Sequence, residues 1–485
     1  MIPPAQAETA ALLKRLTGAA PVETHISAVF IGPDEVLKLR KAVRLAFLDF
    51  STLAERERTA RREFALNREA APGMYRGVAA VTRAADGTLA LDGEGEVVDW
   101  VVRMARVPAG DFLEVMATDG LDDPLLDGLG DAVAALHAGL PPVARDQAAA
   151  LRQVTHGNAR AALDAGMDPP AVRAWLEATL AALASRAGWL GQRAAAGFVR
   201  RCHGDLHLGN LCLWQGRPVA FDALEFDEHL ATIDTGYDLA FLLMDLDRRC
   251  GRAAANRVLN RYVARSGDAA LVAGLPLFLS LRAMVRAHIQ AARFQPAESQ
   301  DYLHRAMGYL APPGPRLLAI GGLSGTGKST LARALAPQLG AAPGALVLRS
   351  DEIRKRLAGV PPEQRLPPGA YTPAASEAVF ALMAEQARAA LAGGHAVIAD
   401  ATFMDEARRR QIAAAAGGAP FLGIWLEAPA DLLLARVAAR TGDASDADVG
   451  VLRGMLKAGA TAGSWRAVPA VTLGNSLTAI RKALD

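Results

Sequence analysis

Two stretches of the chain combine residue types and spacings suited to handling phosphate. The first, Gly322-Leu323-Ser324-Gly325-Thr326-Gly327-Lys328-Ser329, fills the whole pattern G-x-x-x-x-G-K-[ST]. Its glycines let backbone N–H groups converge on phosphate oxygens, Lys328 adds a point charge, and the Ser329 hydroxyl can ligate Mg²⁺. The apolar run Leu317 to Ile320 predicts a strand before it. A helix is predicted from about Thr330, with its positive dipole end on the same oxygens. The second stretch is His203-Gly204-Asp205-Leu206-His207-Leu208-Gly209-Asn210, followed by Phe221-Asp222. Asp205 and Asn210 stand five apart, and Asp222 follows twelve residues later. One carboxylate would orient an acceptor hydroxyl, while an amide and a second carboxylate would hold Mg²⁺ on the phosphates. The run Pro218-Val219-Ala220-Phe221 suits a hairpin that returns Asp222 to Asp205.

Other residues cluster around these two stretches. Asp351 and Asp400 each end a predicted strand, on the side where open parallel sheets bind ligands. Asp351 could accept a proton from an acceptor hydroxyl, and Asp400 lies where a carboxylate behind Mg²⁺ would lie. A helix N-cap is the alternative for both. Arg436 and Arg440, four apart in a predicted helix, would share a face and could clamp a moving phosphoryl group. Near the second stretch, Lys38 and Val36 share a strand face that would cover a nucleotide, with Lys38 on the phosphates. Glu63, on a predicted helix, is the candidate partner of Lys38, with Glu57 and Glu69 as alternatives. Thr24 to Gly32 would cover the phosphates, and Val101-Val102-Arg103-Met104 would form a hinge. His203 reads as a brace for the loop and Asp238 as its anchor. His207, Cys202 and Cys212 carry weaker signals, and His137 reads as helix packing.

The elements that must position these groups fall into two patterns. Ala28 to Ile31, Glu35 to Leu39, Val78 to Thr82 and Val97 to Met104 predict a small antiparallel sheet, with turns at Gly32-Pro33-Asp34 and Asp86-Gly87. A helical segment from Thr52 to Glu69 interrupts it, and most of Asp111 to Tyr309 reads as helix. A break at Ala311-Pro312-Pro313-Gly314-Pro315 follows. Beyond it, buried strands at Leu317 to Ile320, Ala345 to Leu348, Ala396 to Ala399, Phe421 to Leu426 and Ala470 to Leu473 alternate with helices. That is the signature of a parallel sheet covered on both faces. The predicted organisation is a bilobal domain over 1–310, a linker at 311–315 and an α/β domain over 316–485. The small lobe of the first domain would span about 20–105 and its helical lobe about 106–310.

At 485 residues the chain exceeds one ordinary core. A hydrophobic share of 51% with 21% charged residues excludes disorder, and a formal net charge of +2 gives no general pull toward nucleic acid or anionic lipid. Three cysteines without metal or redox spacing fit a reducing compartment. Met1 to Ala10 lacks a secretory pattern, and Leu271 to Val285, interrupted by Ser280 and Arg282, falls short of a membrane span. A cytoplasmic location without nucleic-acid or membrane partners is expected.

Both regions resemble known families. From Arg316 onward the chain resembles the small P-loop kinases of metabolites, the group of gluconate and shikimate kinases. Zeta-type toxins, chloramphenicol phosphotransferase and the 5′-polynucleotide kinase domain are further relatives. The run Ser350-Asp351-Glu352-Ile353-Arg354 resembles their acceptor-side motif, and Arg436 to Asp446 resembles their mobile lid. The resemblance implies Asp351 as base, Arg354 near the acceptor, and nucleotide contacts from Gly322, Ser324, Gly325, Thr326, Gly327, Lys328, Ser329 and Thr330. The N-terminal region resembles the aminoglycoside-phosphotransferase-like kinases, a branch of the protein-kinase fold that includes choline and fructosamine kinases. That resemblance implies Asp205 as the catalytic residue, Asn210 and Asp222 as metal ligands, and Lys38 with Glu63 at the nucleotide. The whole chain is similar to bacterial fusions of these two modules. It implies an ATP- and Mg²⁺-dependent kinase with two sites acting on small-molecule hydroxyls, the acceptors themselves remaining open. A polycationic acceptor is disfavoured, because Arg248 and Arg249 follow the acidic residues Glu225, Asp227, Glu228, Asp245 and Asp247. A nucleotide-sensing regulator and a toxin-like P-loop kinase are the alternative readings.

Overall fold

The computed structural model describes residues 1–45, 48–440, 442–459 and 461–484. They pack as two units. The first comprises Met1–Leu121, Gly139–Arg145 and Gly197–Asp238, and the second Asp122–Ala138, Asp146–Ala196 and Leu239–Asp485. The fold is mixed α/β, with an antiparallel sheet and helices in the N-terminal region and a C-terminal parallel sheet flanked by helices.

In the first unit six antiparallel strands lie in the order Val22–Glu23, Ser27–Ile31, Glu35–Arg40, Glu96–Ala105, Tyr75–Arg83, Leu89–Leu91. Alternation along Glu35–Arg40 separates two roles. Leu37 and Leu39 enter a core with Phe30, Ala79, Val81 and Val101, closed by Leu12 and Leu13 of the Ala7–Thr17 helix. Lys38 and Arg40 occupy the opposite face. The Leu53–Asn67 helix begins where the Thr52 hydroxyl accepts from the Glu55 N–H. Val101 to Met104, expected as a hinge, lie instead inside the long Glu96–Ala105 strand. Val101 pairs with Leu39 on one side and Ala79 on the other, so adjacent valines serve the sheet interior and not a flexible link. Leu211–Trp214 and Arg217–Ala220 form the expected hairpin, turning through Gln215 (φ 53°) and Gly216 (φ 74°).

In the second unit the parallel sheet runs Leu346–Arg349, Val397–Asp400, Leu317–Gly322, Phe421–Glu427, Arg466–Pro469. The last strand is a correction. Ala470 to Leu473 was the expected segment, but Leu473 opens the final helix and Arg466–Pro469 pairs with Ile424 to Glu427. This is an edge strand in which only Val468 is buried, so it offers no apolar run, and Pro469 is tolerated there. The helices of the N-terminal region in this unit include Asp123–Ala138, Pro169–Ala195, Arg252–Ser266 and Leu275–Ala292. His137 packs as expected, its Nδ1 3.0 Å from the Tyr262 hydroxyl. The apolar segment extends beyond the expected Leu271 to Val285. Ala269–Ala292 is long and apolar enough to cross a membrane, yet 78% of its most apolar window is buried in the protein. Within it Ser280 is satisfied by the Trp175 indole at 3.0 Å, as in a core helix.

Candidate active sites

The first site is assembled from the sheet face, the helix and the hairpin of the first unit. Lys38 Nζ donates to Glu63 Oε1 at 2.8 Å and to Asp222 Oδ1 at 2.5 Å. Arg40 lies two residues on, hence on the same face. It donates to Glu63 Oε2 at 2.5 Å and pairs with Glu225. Burial opposes the Lys38 charge, but Asp222 and Glu63 outweigh it and hold the ammonium above its usual range. Burial likewise opposes the Asp222 carboxylate, and Lys38 with Arg40 overcome it, so the group sits low. Both therefore stay charged.

Asp222 is fixed by its backbone. At φ 58° it takes a left-handed conformation uncommon for a residue with a side chain. Its N–H donates to the Tyr75 hydroxyl at 3.0 Å, and the Ala223 N–H donates to Asn67 Oδ1 at 2.9 Å. The Asp205–Asn210 loop meets the hairpin through a bond from the Phe221 N–H to the Asn210 carbonyl at 3.0 Å. Asn210 Nδ2 donates to the Asp205 carboxylate and carbonyl, both at 2.9 Å. Asp205, Asn210 and Asp222 thus belong to one cluster, and the side chains of Asp205 and Asp222 are 41% and 39% exposed.

His203 and Asp238 brace this loop. The N–H groups of His203 and Gly204 donate to the two Asp238 carboxylate oxygens at 3.0 and 2.9 Å. His203 Nε2 lies 2.9 Å from the Phe221 carbonyl, which can only accept, so that nitrogen carries the proton. Burial lowers its pKa and keeps the ring neutral. His207 lies closer to the chemistry than its weak signal suggested, with Nε2 3.5 Å from Asp205 Oδ2.

The second site surrounds a cavity of about 950 Å³, lined among others by Gly325, Lys328, Thr330, Asp351, Arg354, Arg436 and Arg440. That volume lies at the upper end of ligand pockets. The Lys328–Leu335 helix follows the glycines directly, two residues earlier than expected. Gly325 holds φ 85°, and a Cβ there would lie 2.9 Å from the Leu433 carbonyl oxygen, so only glycine fits. Lys328 Nζ is tethered at 3.0 Å to the carbonyls of both Gly322 and Leu323. Burial lowers its pKa. Thr326 and Ser324 turn their hydroxyls inward, to the Leu323 carbonyl at 2.8 Å and to Met455 Sδ at 3.7 Å. These two can therefore meet a ligand mainly through the backbone. The Ser329 hydroxyl donates to Asp400 Oδ2 at 2.6 Å, joining the two groups expected around Mg²⁺.

Neither Asp351 nor Asp400 is an N-cap. Asp400 closes its strand, and Asp351 lies in the first turn of Ser350–Leu357, where Arg349 takes the cap position. Burial raises the pKa of Asp351. The helix carrying Arg436 ends at Ala439, so Arg440 follows in extended backbone, and the two share the cavity wall but not a helix face. Arg436 donates to the carbonyls of Gly325 (3.3 Å), Ala470 (2.9 Å) and Val471 (2.6 Å). The segment expected as a lid is pinned. Asp443 accepts from Arg349 at 3.1 Å, and Asp446 accepts from Lys355 at 2.8 Å and from the Tyr371 hydroxyl at 2.5 Å. Thr441 of that segment lies outside the described residues.

Arg40 and Arg349 escaped the sequence reading as site residues, and Glu225 was weighed only for a polycation. Arg40 shares the alternation of Lys38, which was the available signal. The acidic residues once weighed for a polycation are committed elsewhere: Glu225 to Arg40, Glu228 to Arg62, and Asp245 to Arg249. Asp247 accepts from Tyr309, and Asp227 caps a short helix.

Residues 36–274 match the model of the phosphotransferase enzyme family, and residues 317–459 match an AAA domain. Uncharacterized proteins of Mycobacterium tuberculosis and Mycobacterium bovis are each 31% identical over 451 residues, covering 88% of this chain and 87% of each relative. The chain belongs to the phosphotransferase enzyme family, joined to an AAA domain. Among solved structures, a choline/ethanolamine kinase family protein from Mesorhizobium loti is 15% identical. The match covers 63% of this chain and 95% of that one, with a TM-score of 0.38. A gluconokinase from Sinorhizobium meliloti is 21% identical, over 34% of this chain and 88% of that one, with a TM-score of 0.26.

Proposed function

We propose that this phosphotransferase has two ATP sites, each passing a γ-phosphoryl group to a hydroxyl of a small molecule such as a sugar or polyol. The observation that carries the reading is the paired gathering of groups. Asp205, Asn210, Asp222 and Lys38 with Glu63 form one cluster, and Lys328, Ser329, Asp400 and Asp351 another. In the first, Lys38 would hold the phosphates and Asp205 would take the proton of the acceptor hydroxyl. In the second, Lys328 and the backbone from Gly322 to Thr330 would cradle the phosphates. Asp351, whose pKa burial raises, would take the proton of the acceptor hydroxyl, and Arg436 and Arg440 would face the moving group.

The donor sets fit Mg²⁺, because each offers only hard oxygen ligands: Asn210 and Asp222 in one site, Ser329 with Asp400 behind it in the other. The ion would supply charge neutralisation on the phosphate oxygens. Cytoplasmic location, and the absence of nucleic-acid and membrane partners, belong to the same proposal. The test is ATP turnover with panels of sugars, polyols and sugar acids in wild type, Asp205→Ala and Lys328→Ala. Each substitution should abolish a different acceptor-stimulated activity. Turnover that no acceptor stimulates, in any of the three proteins, would leave a nucleotide sensor as the better account.

A further inference from the structure

The Arg252–Ser266 helix belongs to the region matched by the phosphotransferase family, yet its side chains complete the sheet of the AAA domain. Leu346–Arg349 is an edge strand, and an edge leaves a row of N–H and C=O groups without strand partners. Asn260 Oδ1 accepts from the Val347 N–H at 2.7 Å. Asn256 and Asn260 donate through Nδ2 to the Ala345 carbonyl at 3.0 and 3.3 Å. Both asparagines lie on one helix face, four residues apart, as the i,i+4 period requires. On the same helix, Arg261 and Arg265 grip Asp131 of the Asp123–Ala138 helix and reach Glu363 at 2.7 and 3.2 Å.

These contacts fall on one side of the second site. Asp351 follows the end of the Leu346–Arg349 strand by two residues, and Glu363 stands three residues before Leu366, which lines the same cavity. The nucleotide cradle rises instead from Leu317–Gly322, two strands inward, and from the Lys328–Leu335 helix. The two halves share one apolar core, in which Val347 packs with Leu318, Ile320 and Leu331, but the asparagine hydrogen bonds reach the acceptor-side strand alone.

We propose that Asn260, assisted by Asn256, is a positioning residue for phosphoryl transfer in the AAA domain: it fixes Val347 and so sets where Asp351 stands relative to Lys328. The Arg252–Ser266 helix, sequence from the phosphotransferase match, then completes the acceptor side of the second site. The proposal rests on reading Asp351 as the acceptor-side carboxylate.

The test uses the full chain carrying Asp205→Ala, so that only the second site turns over, and the second site's nucleotide binding is read as the part that Lys328→Ala removes. ADP affinity is measured with a fluorescent ADP analogue, and turnover as phosphate release from ATP with water as acceptor. Asn260→Leu should leave the affinity within about twofold while turnover falls about 10-fold, the scale of a sub-ångström misplacement. Asn260→Asp keeps an oxygen for the Val347 N–H but sets its other oxygen against the Ala345 carbonyl and Asn256, so it should recover part of the turnover, above Asn260→Leu. Turnover unchanged in Asn260→Leu would overturn the proposal, as would affinity falling in step with turnover, or Asn260→Asp performing no better than Asn260→Leu. If the Asp205→Ala chain neither binds the analogue nor loses anything on Lys328→Ala, the reading of the site itself fails, and the positioning role with it.

Discussion

Replacing Arg40 by Met removes the hub of a buried charge network, and the structure sets the expected cost. Arg40 is 3% exposed and bridges Glu63, fully buried, to Glu225, 4% exposed. After the change Glu63 keeps Lys38 at 2.8 Å, so it is not stranded. Glu225 loses its cation inside the protein. Removing one member of a buried pair typically costs about 3–5 kcal/mol, because the remaining charge is uncompensated. Burial already holds the Glu225 carboxyl above its usual range, so it can escape by binding a proton. That exit places the expected loss near the lower bound, about 3 kcal/mol at neutral pH. The sign with pH follows. A carboxyl whose folded pKa is raised costs stability as pH rises from its ordinary range up to that raised value, so the deficit should grow with pH above the ordinary carboxyl range. Arg40→Met with Glu225→Gln should recover about 1–2 kcal/mol, since no charge is left buried. Urea unfolding provides the free energies, and amide exchange of Val36 to Arg40 locates the effect in the first unit. A deficit below about 1 kcal/mol that is flat with pH and unrelieved by the second substitution would refute the reasoning.

Three further outcomes are expected. Ser329→Ala removes the hydroxyl 2.6 Å from Asp400; ADP affinity in EDTA should hold within about twofold, while Mg²⁺ stimulation of turnover falls at least about 10-fold. His395 is buried, and desolvation lowers its pKa from 6.5 to about 4. Its contribution to stability is complete above about pH 6.5 and is lost as pH falls toward 4, about 3 kcal/mol in all; His395→Gln should flatten that part of the profile in urea midpoints. Lys355 is 1% exposed and ties down Asp446, so Lys355→Met should make the 440–448 segment the first site of limited proteolysis, with circular dichroism unchanged.

Local chemistry made much of the site legible. The hairpin that returns Asp222 to the Asp205 loop was implied by a twelve-residue spacing and an apolar run, because short antiparallel returns are local. The Lys38–Glu63 pair was readable for a related reason: a strand lysine facing a sheet needs a carboxylate, and the intervening helix offered few. Arg40–Glu225 was not readable, since its partners lie 185 residues apart and neither matches a motif. Arg466–Pro469 hid because an edge strand need not be apolar.

From its sequence alone this protein declares two phosphate-handling motifs, each framed by the elements it needs, because glycine geometry and carboxylate spacing are properties of short segments. Tertiary structure decides which charges neutralise one another and what seals the sheet edge. Asn256 and Asn260 look like ordinary polar residues of a helix until Leu346–Arg349 is laid beside them. A hydrogen bond depends on distance in space, and no local pattern records which distant backbone groups would otherwise remain unpaired.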